Sequence, residues 1–154
     1  PKGLIQMTLA IGADHGGVRL KDAIKAYLDE RGIAYHDFGT FTEESVDYPV
    51  IAAKVAHAVA NGQYDRGLLF CGTGIGISIA ANKVRGIRAA VCTDAYSAEY
   101  CRRHNNANIL CLGGRVIDAA HARELVGLYL DTEFEGGRHE RRVQEIADIE
   151  AGLL

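Results

Sequence analysis

The sequence carries its reactive side chains in a few glycine-flanked segments. In Phe70-Cys71-Gly72-Thr73-Gly74-Ile75-Gly76-Ile77-Ser78, glycines alternate with other residues behind an apolar run. Glycines at a strand-to-helix junction let backbone N–H groups converge on an anion. No Gly-Lys-Ser/Thr follows, so this is not a Walker loop. A dinucleotide fingerprint begun at Gly72 and Gly74 would need its third glycine where Ile77 stands. A thiol phosphatase loop would need arginine at that same position. What remains is Cys71 at the lip of an anion-binding loop, where a helix start favours the thiolate. Such a thiolate serves as base or nucleophile while adjacent amides stabilise oxyanion charge. The plainer alternative is a cysteine that only ends a buried strand, as Cys92 and Cys111 do.

Asp14-His15-Gly16-Gly17 is a second such segment: either the acid and imidazole orient a polar ligand, or Asp14 caps a helix and His15 is a surface residue. Arg102-Arg103-His104-Asn105-Asn106 closes a helical stretch, and His104 there is an acid/base or a dipole-stabilising cap. Arg115 follows Gly113-Gly114. Gly136-Gly137-Arg138-His139-Glu140-Arg141-Arg142 opens the last helical stretch. Arg138 and Arg142 are four apart and share a helix face, which suits a phosphate; a solvated charge run is the alternative.

Positioning these groups falls to short apolar runs alternating with helical patterns. Strands read at Thr8–Gly12, Ile33–Phe38, Gly67–Cys71, Ile87–Cys92 and Asn108–Leu112. Leu20, Ile24, Tyr27 and Leu28 form the apolar stripe of a helix over about 17–31, closed by Gly32. Pro49 suits the first turn of another helix, and further helices fall near 75–84, 95–104, 118–132 and 139–152. Alternating strands and helices with non-alternating apolar strands imply one α/β domain, a five-stranded parallel sheet between helical layers. The flavodoxin-like, Rossmann-like order 2-1-3-4-5 is expected, with ligands beyond the carboxyl ends of strands 1 and 3.

Composition narrows the class further. The chain has 154 residues, 48% hydrophobic and 24% charged, with net charge −3, which argues against disorder and against a basic nucleic-acid binder. Glycine is enriched at 18 residues, as many strand-to-helix turns would require. No apolar run approaches the roughly 20 residues of a membrane span, and no secretory signal is evident, so a cytoplasmic location is expected. The cysteines Cys71, Cys92, Cys101 and Cys111 form no CxxC pair and are expected as free thiols. His36, His57 and His121 are isolated, with no histidine–carboxylate cluster of the kind a metal-assisted hydride shift would want. Residues 1–6 read as a natural extension or an expression remnant before a domain spanning 7–154.

Taken together, Asp14-His15-Gly-Gly, Asp47-Tyr48-Pro49, Cys71-Gly-Thr-Gly-Ile-Gly-Ile-Ser, Ala81-Asn82-Lys83, His104-Asn105 and Gly136-Gly137-Arg138-His139 resemble ribose-5-phosphate isomerase type B, in order, over about 8–150. The resemblance implies a metal-independent, cofactor-free aldose–ketose isomerase that interconverts ribose 5-phosphate and ribulose 5-phosphate through an enediolate. It implies Cys71 as the base at C2, with Thr73 assisting and the amides from Gly72 through Gly74 and Ile75 to Gly76 stabilising the enediolate. It implies His104 as the ring-opening acid/base with Asp14 as helper. His15, Arg115, Arg138 and Arg142 match phosphate or substrate contacts, Asn105 a sugar-hydroxyl contact, and Tyr48 a substrate contact. Some relatives place a glutamate base where Ile75 stands, so this chain resembles the cysteine subgroup. The resemblance also implies a homodimer or dimer of dimers with sites shared between chains. Another sugar, such as allose 6-phosphate or an unphosphorylated rare aldose, is the nearest alternative. A non-catalytic phosphate or nucleotide sensor is a more distant one.

Overall fold

The computed structural model describes residues 6–154, so of the segment 1–6 set apart above, residues 1–5 lie outside the described residues. The chain alternates β1 (Thr8–Ala13), α1 (Val18–Glu30), β2 (Ala34–Asp37), α2 (Tyr48–Ala60), β3 (Arg66–Cys71) and α3 (Ile75–Ala81). There follow β4 (Ala89–Val91), α4 (Ala95–Arg103), β5 (Ile109–Gly113), α5 (Ala119–Asp131) and α6 (Arg138–Glu150). All pairings in the five-stranded sheet are parallel. No helix among the described residues is long and apolar enough to cross a membrane.

The central strands are apolar on both faces because helices cover both. Leu9, Ile11, Leu68, Phe70, Leu110 and Leu112 point into a core shared with α1, α4 and α5. The alternate residues Ala10, Leu69, Cys71, Ile109 and Cys111 point into a second core shared with α2 and α3. This is the period-two alternation of a strand between two helical layers. Helix α6 joins neither layer, and His139 is its one buried side chain.

The strand order is β2-β1-β3-β5-β4, which corrects the expected exchange-free 2-1-3-4-5 at the last two strands. Crossover handedness explains it. Right-handed connections step in one direction when the helix packs on the α2 face and in the other when it packs on the α1 face. Helix α3 lies on the α2 face, so β4 steps outward; α4 packs Ala98 and Cys101 into the α1 core, so the chain steps back. Strand β5, buried at every position, fills the slot beside β3, while the three-residue β4 takes the edge.

Candidate active site

The carboxyl ends of β1, β3 and β5 lie side by side, and their turns are knitted together by backbone contacts. The Asp14 amide donates to the Phe70 carbonyl (3.0 Å), Gly114 N–H to the Cys71 carbonyl (2.8 Å), and Arg115 N–H to the Gly72 carbonyl (2.9 Å). Gly17 lies so close to β3 that a Cβ there would fall 2.5 Å from the Phe70 oxygen. Asp14 is buried, and its Oδ1 accepts from the Gly16 amide at 2.8 Å, holding the turn that opens α1.

Cys71 ends β3 at 5% exposure, and its Sγ accepts from the Gly74 amide at 3.1 Å. That bend requires Gly74 at φ +80°, a region that penalises side chains. Thr73 is exposed, and its hydroxyl accepts from the Ile75 amide at 3.2 Å. A backbone donor therefore faces the sulfur. Tyr48, at the start of α2, lays its ring against Gly76, and the Arg115 guanidinium lies over Gly72.

Beside this loop a cavity of about 200 Å³ is lined by His15, Gly16, Arg19, Leu20, Glu43, Gly114 and Arg115. His15 Nδ1 accepts from the Val46 amide at 3.2 Å, which ties the 38–47 loop over the cavity and leaves Nε2 free of that bond. Arg19 pairs with Glu43 at 2.6 Å across its mouth.

The second group of candidate residues stands elsewhere. His104 follows α4 and, with Asn105, lines a separate cleft of about 300 Å³ with Tyr96 and Tyr100 near β4. Its ring stacks on His139 at 3.9 Å and 10°, and meets Tyr100 edge-on at 4.9 Å. Desolvation lowers the His139 pKa, with His104 and the cationic Arg138 and Arg142 acting in the same sense against Glu135. Arg138 and Arg142 are exposed on the first turns of α6. Among the described residues, no hydrogen bond or ring contact joins Cys71 to His104, Asp14 to His104, or the loop at 72–76 to Arg138 or Arg142.

A family model described as Ribose/Galactose Isomerase matches residues 9–146. Ribose-5-phosphate isomerase B of Escherichia coli (strain K12) is 51% identical over 142 residues, covering 92% of this chain and 95% of that one. D-erythrulose-4-phosphate isomerase of Pectobacterium atrosepticum (strain SCRI 1043) is 46% identical over 145 residues, 94% of this chain and 95% of that one. The solved ribose-5-phosphate isomerase B of Clostridium thermocellum superposes with a TM-score of 0.94 at 54% identity, covering 96% of this chain and 100% of that one. The chain belongs to the ribose/galactose isomerase family.

The candidate residues thus fall into two separate groups within the chain. One joins Cys71, Thr73 and the glycine loop to Asp14, His15, Tyr48 and Arg115. The other joins His104 and Asn105 to the start of α6. All four cysteines are free thiols and buried. Sequence reasoning missed Arg19, although it follows His15 by four residues, and Glu43, for which no local signal exists. It also missed a histidine–carboxylate cluster: ligand atoms of His104, Glu135 and His139 lie within 4.8 Å of one another. The Glu135–His139 spacing was visible, but His104 is 31 residues away, and only the fold brings it there.

Proposed function

We propose that the protein interconverts D-ribose 5-phosphate and D-ribulose 5-phosphate by ring opening followed by proton transfer through a cis-enediolate. The observation that carries this reading is the Cys71 thiol at the glycine loop, facing the Gly74 amide, beside a cavity whose His15 and Arg115 suit a phosphate. A proton on carbon next to a carbonyl is weakly acidic, so its removal needs a positioned base and preorganised donors at the developing oxyanion. Cys71 takes the C2 proton and returns it at C1, with Thr73 beside it. The apolar Ile75 leaves no carboxylate in the loop to replace the thiol. His104 opens the furanose, and Asn105 holds a sugar hydroxyl.

The two separate groups support a homodimer, or a dimer of dimers, in which His104 of one chain meets Cys71 of the other. The surface fits this. Tyr48, Val50, Ile75 and Ile79 are exposed on the Cys71 side, and Ile146, Ile149, Leu153 and Leu154 are exposed on and beyond α6. Apolar rows of this kind mark association surfaces. Arg138 and Arg142 would arrive with the partner's α6, facing the cavity that holds His15 and Arg115. We propose a cytoplasmic location for the enzyme.

The test is complementation. Cys71→Ala and His104→Asn homodimers should each be nearly inactive on ribose 5-phosphate. Equal mixtures allowed to exchange subunits should regain roughly a quarter of parental activity, because half the dimers are mixed and each carries one intact site. Mixtures that stay inactive after demonstrated exchange would refute the shared site. Parallel assays on allose 6-phosphate, erythrulose 4-phosphate and free ribose decide the sugar.

A further inference from the structure

The cluster around His104 contains more ligating groups than ring opening needs. The Glu135 amide donates to the Arg103 carbonyl at 3.0 Å, which pins the 132–137 segment against the end of α4 and sets Glu135 beside His104. Glu135 Oε1 stands 3.6 Å from Nε2 of His139, whose side chain is 9% exposed. One nitrogen from each of His104 and His139 and a Glu135 oxygen fall within 4.8 Å of one another; the two rings are stacked at 3.9 Å with their lone pairs side by side, so the stack must open for both to reach one ion. Two imidazoles and one carboxylate, with a fourth position open to solvent, form the donor set of a tetrahedral zinc-class ion. Bonds of about 2.0–2.2 Å would draw these atoms to roughly 3.3 Å apart. His104 is half-exposed and Glu135 exposed, so rotation of these two around the buried His139 supplies that movement. The cleft beside Tyr96 and Tyr100 gives the ion and its water access.

We propose that His104, Glu135 and His139 bind a divalent zinc-class cation, and that the bound ion inhibits the enzyme by occupying the nitrogen lone pair of His104. The inhibition rests on the ring-opening role given to His104 above; the binding site does not. No group is transferred: the imidazole lone pair that would accept a proton is donated to the metal instead.

The experiment titrates Zn²⁺ alone into the intact, metal-free protein by calorimetry, with Co²⁺ as a spectroscopic substitute. The expected result is one ion per chain, with a cobalt spectrum that lacks thiolate charge transfer. Glu135→Gln, which keeps the side-chain shape, and His139→Gln should each weaken Zn²⁺ binding at least as much as loss of a supporting partner does, roughly ten- to a hundredfold. Parental affinity in both variants would overturn the site, as would a thiolate charge-transfer band, which would assign the ion to a cysteine. The activity arm separates the two ideas. Zn²⁺ at a saturating level should abolish turnover of ribose 5-phosphate in the parent, a chelator should restore it, and Glu135→Gln should need proportionally more Zn²⁺. If the ion binds the cluster and turnover continues, the metal site stands and the inhibition, with the role of His104, falls.

Discussion

Asp37→Asn asks whether the loop bordering the site is held by one buried ion pair. Lys21 is fully buried, and its ammonium donates to Asp37 Oδ1 at 2.8 Å and to the Thr40 carbonyl. Asp37 also accepts from Lys25 at 2.9 Å and from the Gly39 amide at 2.8 Å. Burial pushes the Asp37 carboxyl up, but hydrogen bonds from Lys21, Gly39 and Lys25 outweigh it and hold the carboxyl below its ordinary value. Removing one partner of a buried pair costs about 3–5 kcal/mol, because the other charge stays desolvated. The lower end applies here, since the Thr40 carbonyl and the asparagine oxygen still accept from Lys21. At roughly 2–4 °C per kcal/mol for a domain of this size, Tm should fall by about 6–12 °C. The pH dependence has a definite sign. A lowered folded pKa contributes stability that is whole above the unfolded value of about 3.9 and is lost as pH falls through the folded one. Parent and variant should therefore converge in acid. Lys21→Met combined with Asp37→Asn removes the stranded ammonium and should melt above the single variant. Calorimetry at fixed protein concentration, near neutrality and below about pH 4, makes the measurement. The loop also carries Glu43 and Val46, so KM for ribose 5-phosphate should rise more than kcat falls. A single variant that melts within about 2 °C of the parent at neutral pH, or a gap that persists in acid, refutes the reasoning.

Charge-assisted hydrogen bonds to phosphate contribute about 1.5–3 kcal/mol each, so Arg115→Ala, Arg138→Ala and Arg142→Ala should each raise KM for ribose 5-phosphate roughly ten- to a hundredfold in steady-state assays. Arg141→Ala, turned about 100° around α6, should change it little, and free ribose should be indifferent to all four. Parental KM in the first three would argue for an unphosphorylated substrate. Gly17→Ala places a Cβ 2.5 Å from the Phe70 oxygen of a central strand that has no room to yield, and should destabilise by about 1–3 kcal/mol in chemical denaturation. A neutral effect would mean that the β1–β3 junction is looser than its hydrogen bonds indicate.

Much of this was legible in the sequence, because the relevant forces are local. Apolar runs without alternation identify β1, β3 and β5 as doubly covered, and the period of Leu20, Ile24 and Leu28 identifies α1 and its buried face. Glycines at 72, 74 and 76 mark a backbone that bends sharply, with Gly74 at φ +80°, and they point to Cys71 with no knowledge of its neighbours. Contacts set by the fold were not legible. Lys21 and Asp37 sit on different elements and read singly as surface charges. His104, Glu135 and His139 meet only because an amide-to-carbonyl bond pins a loop to the end of α4.

The strand exchange matters most to the candidate site, because the position of Arg115 follows from it. Neighbouring strands lie about 4.8 Å apart. In the order 2-1-3-4-5, β5 would stand two places from β3, roughly 9.6 Å away, and the bonds from Gly114 to Cys71 and from Arg115 to Gly72 could not form. With β5 inserted, those bonds are 2.8 and 2.9 Å, and the guanidinium lies over the glycine loop. The cause is the face of α4 that is apolar: Ala98 and Cys101 turn it toward α1, and right-handed crossover does the rest. The same step puts α4, which ends at His104, on the α1 face, whereas the Cys71 side chain points into the core on the other face. One choice of helix face thus brings Arg115 to the glycine loop within a chain and leaves Cys71 and His104 on different elements with no hydrogen bond between them. In the homodimer proposed above, a second copy of the chain would be what brings the two together.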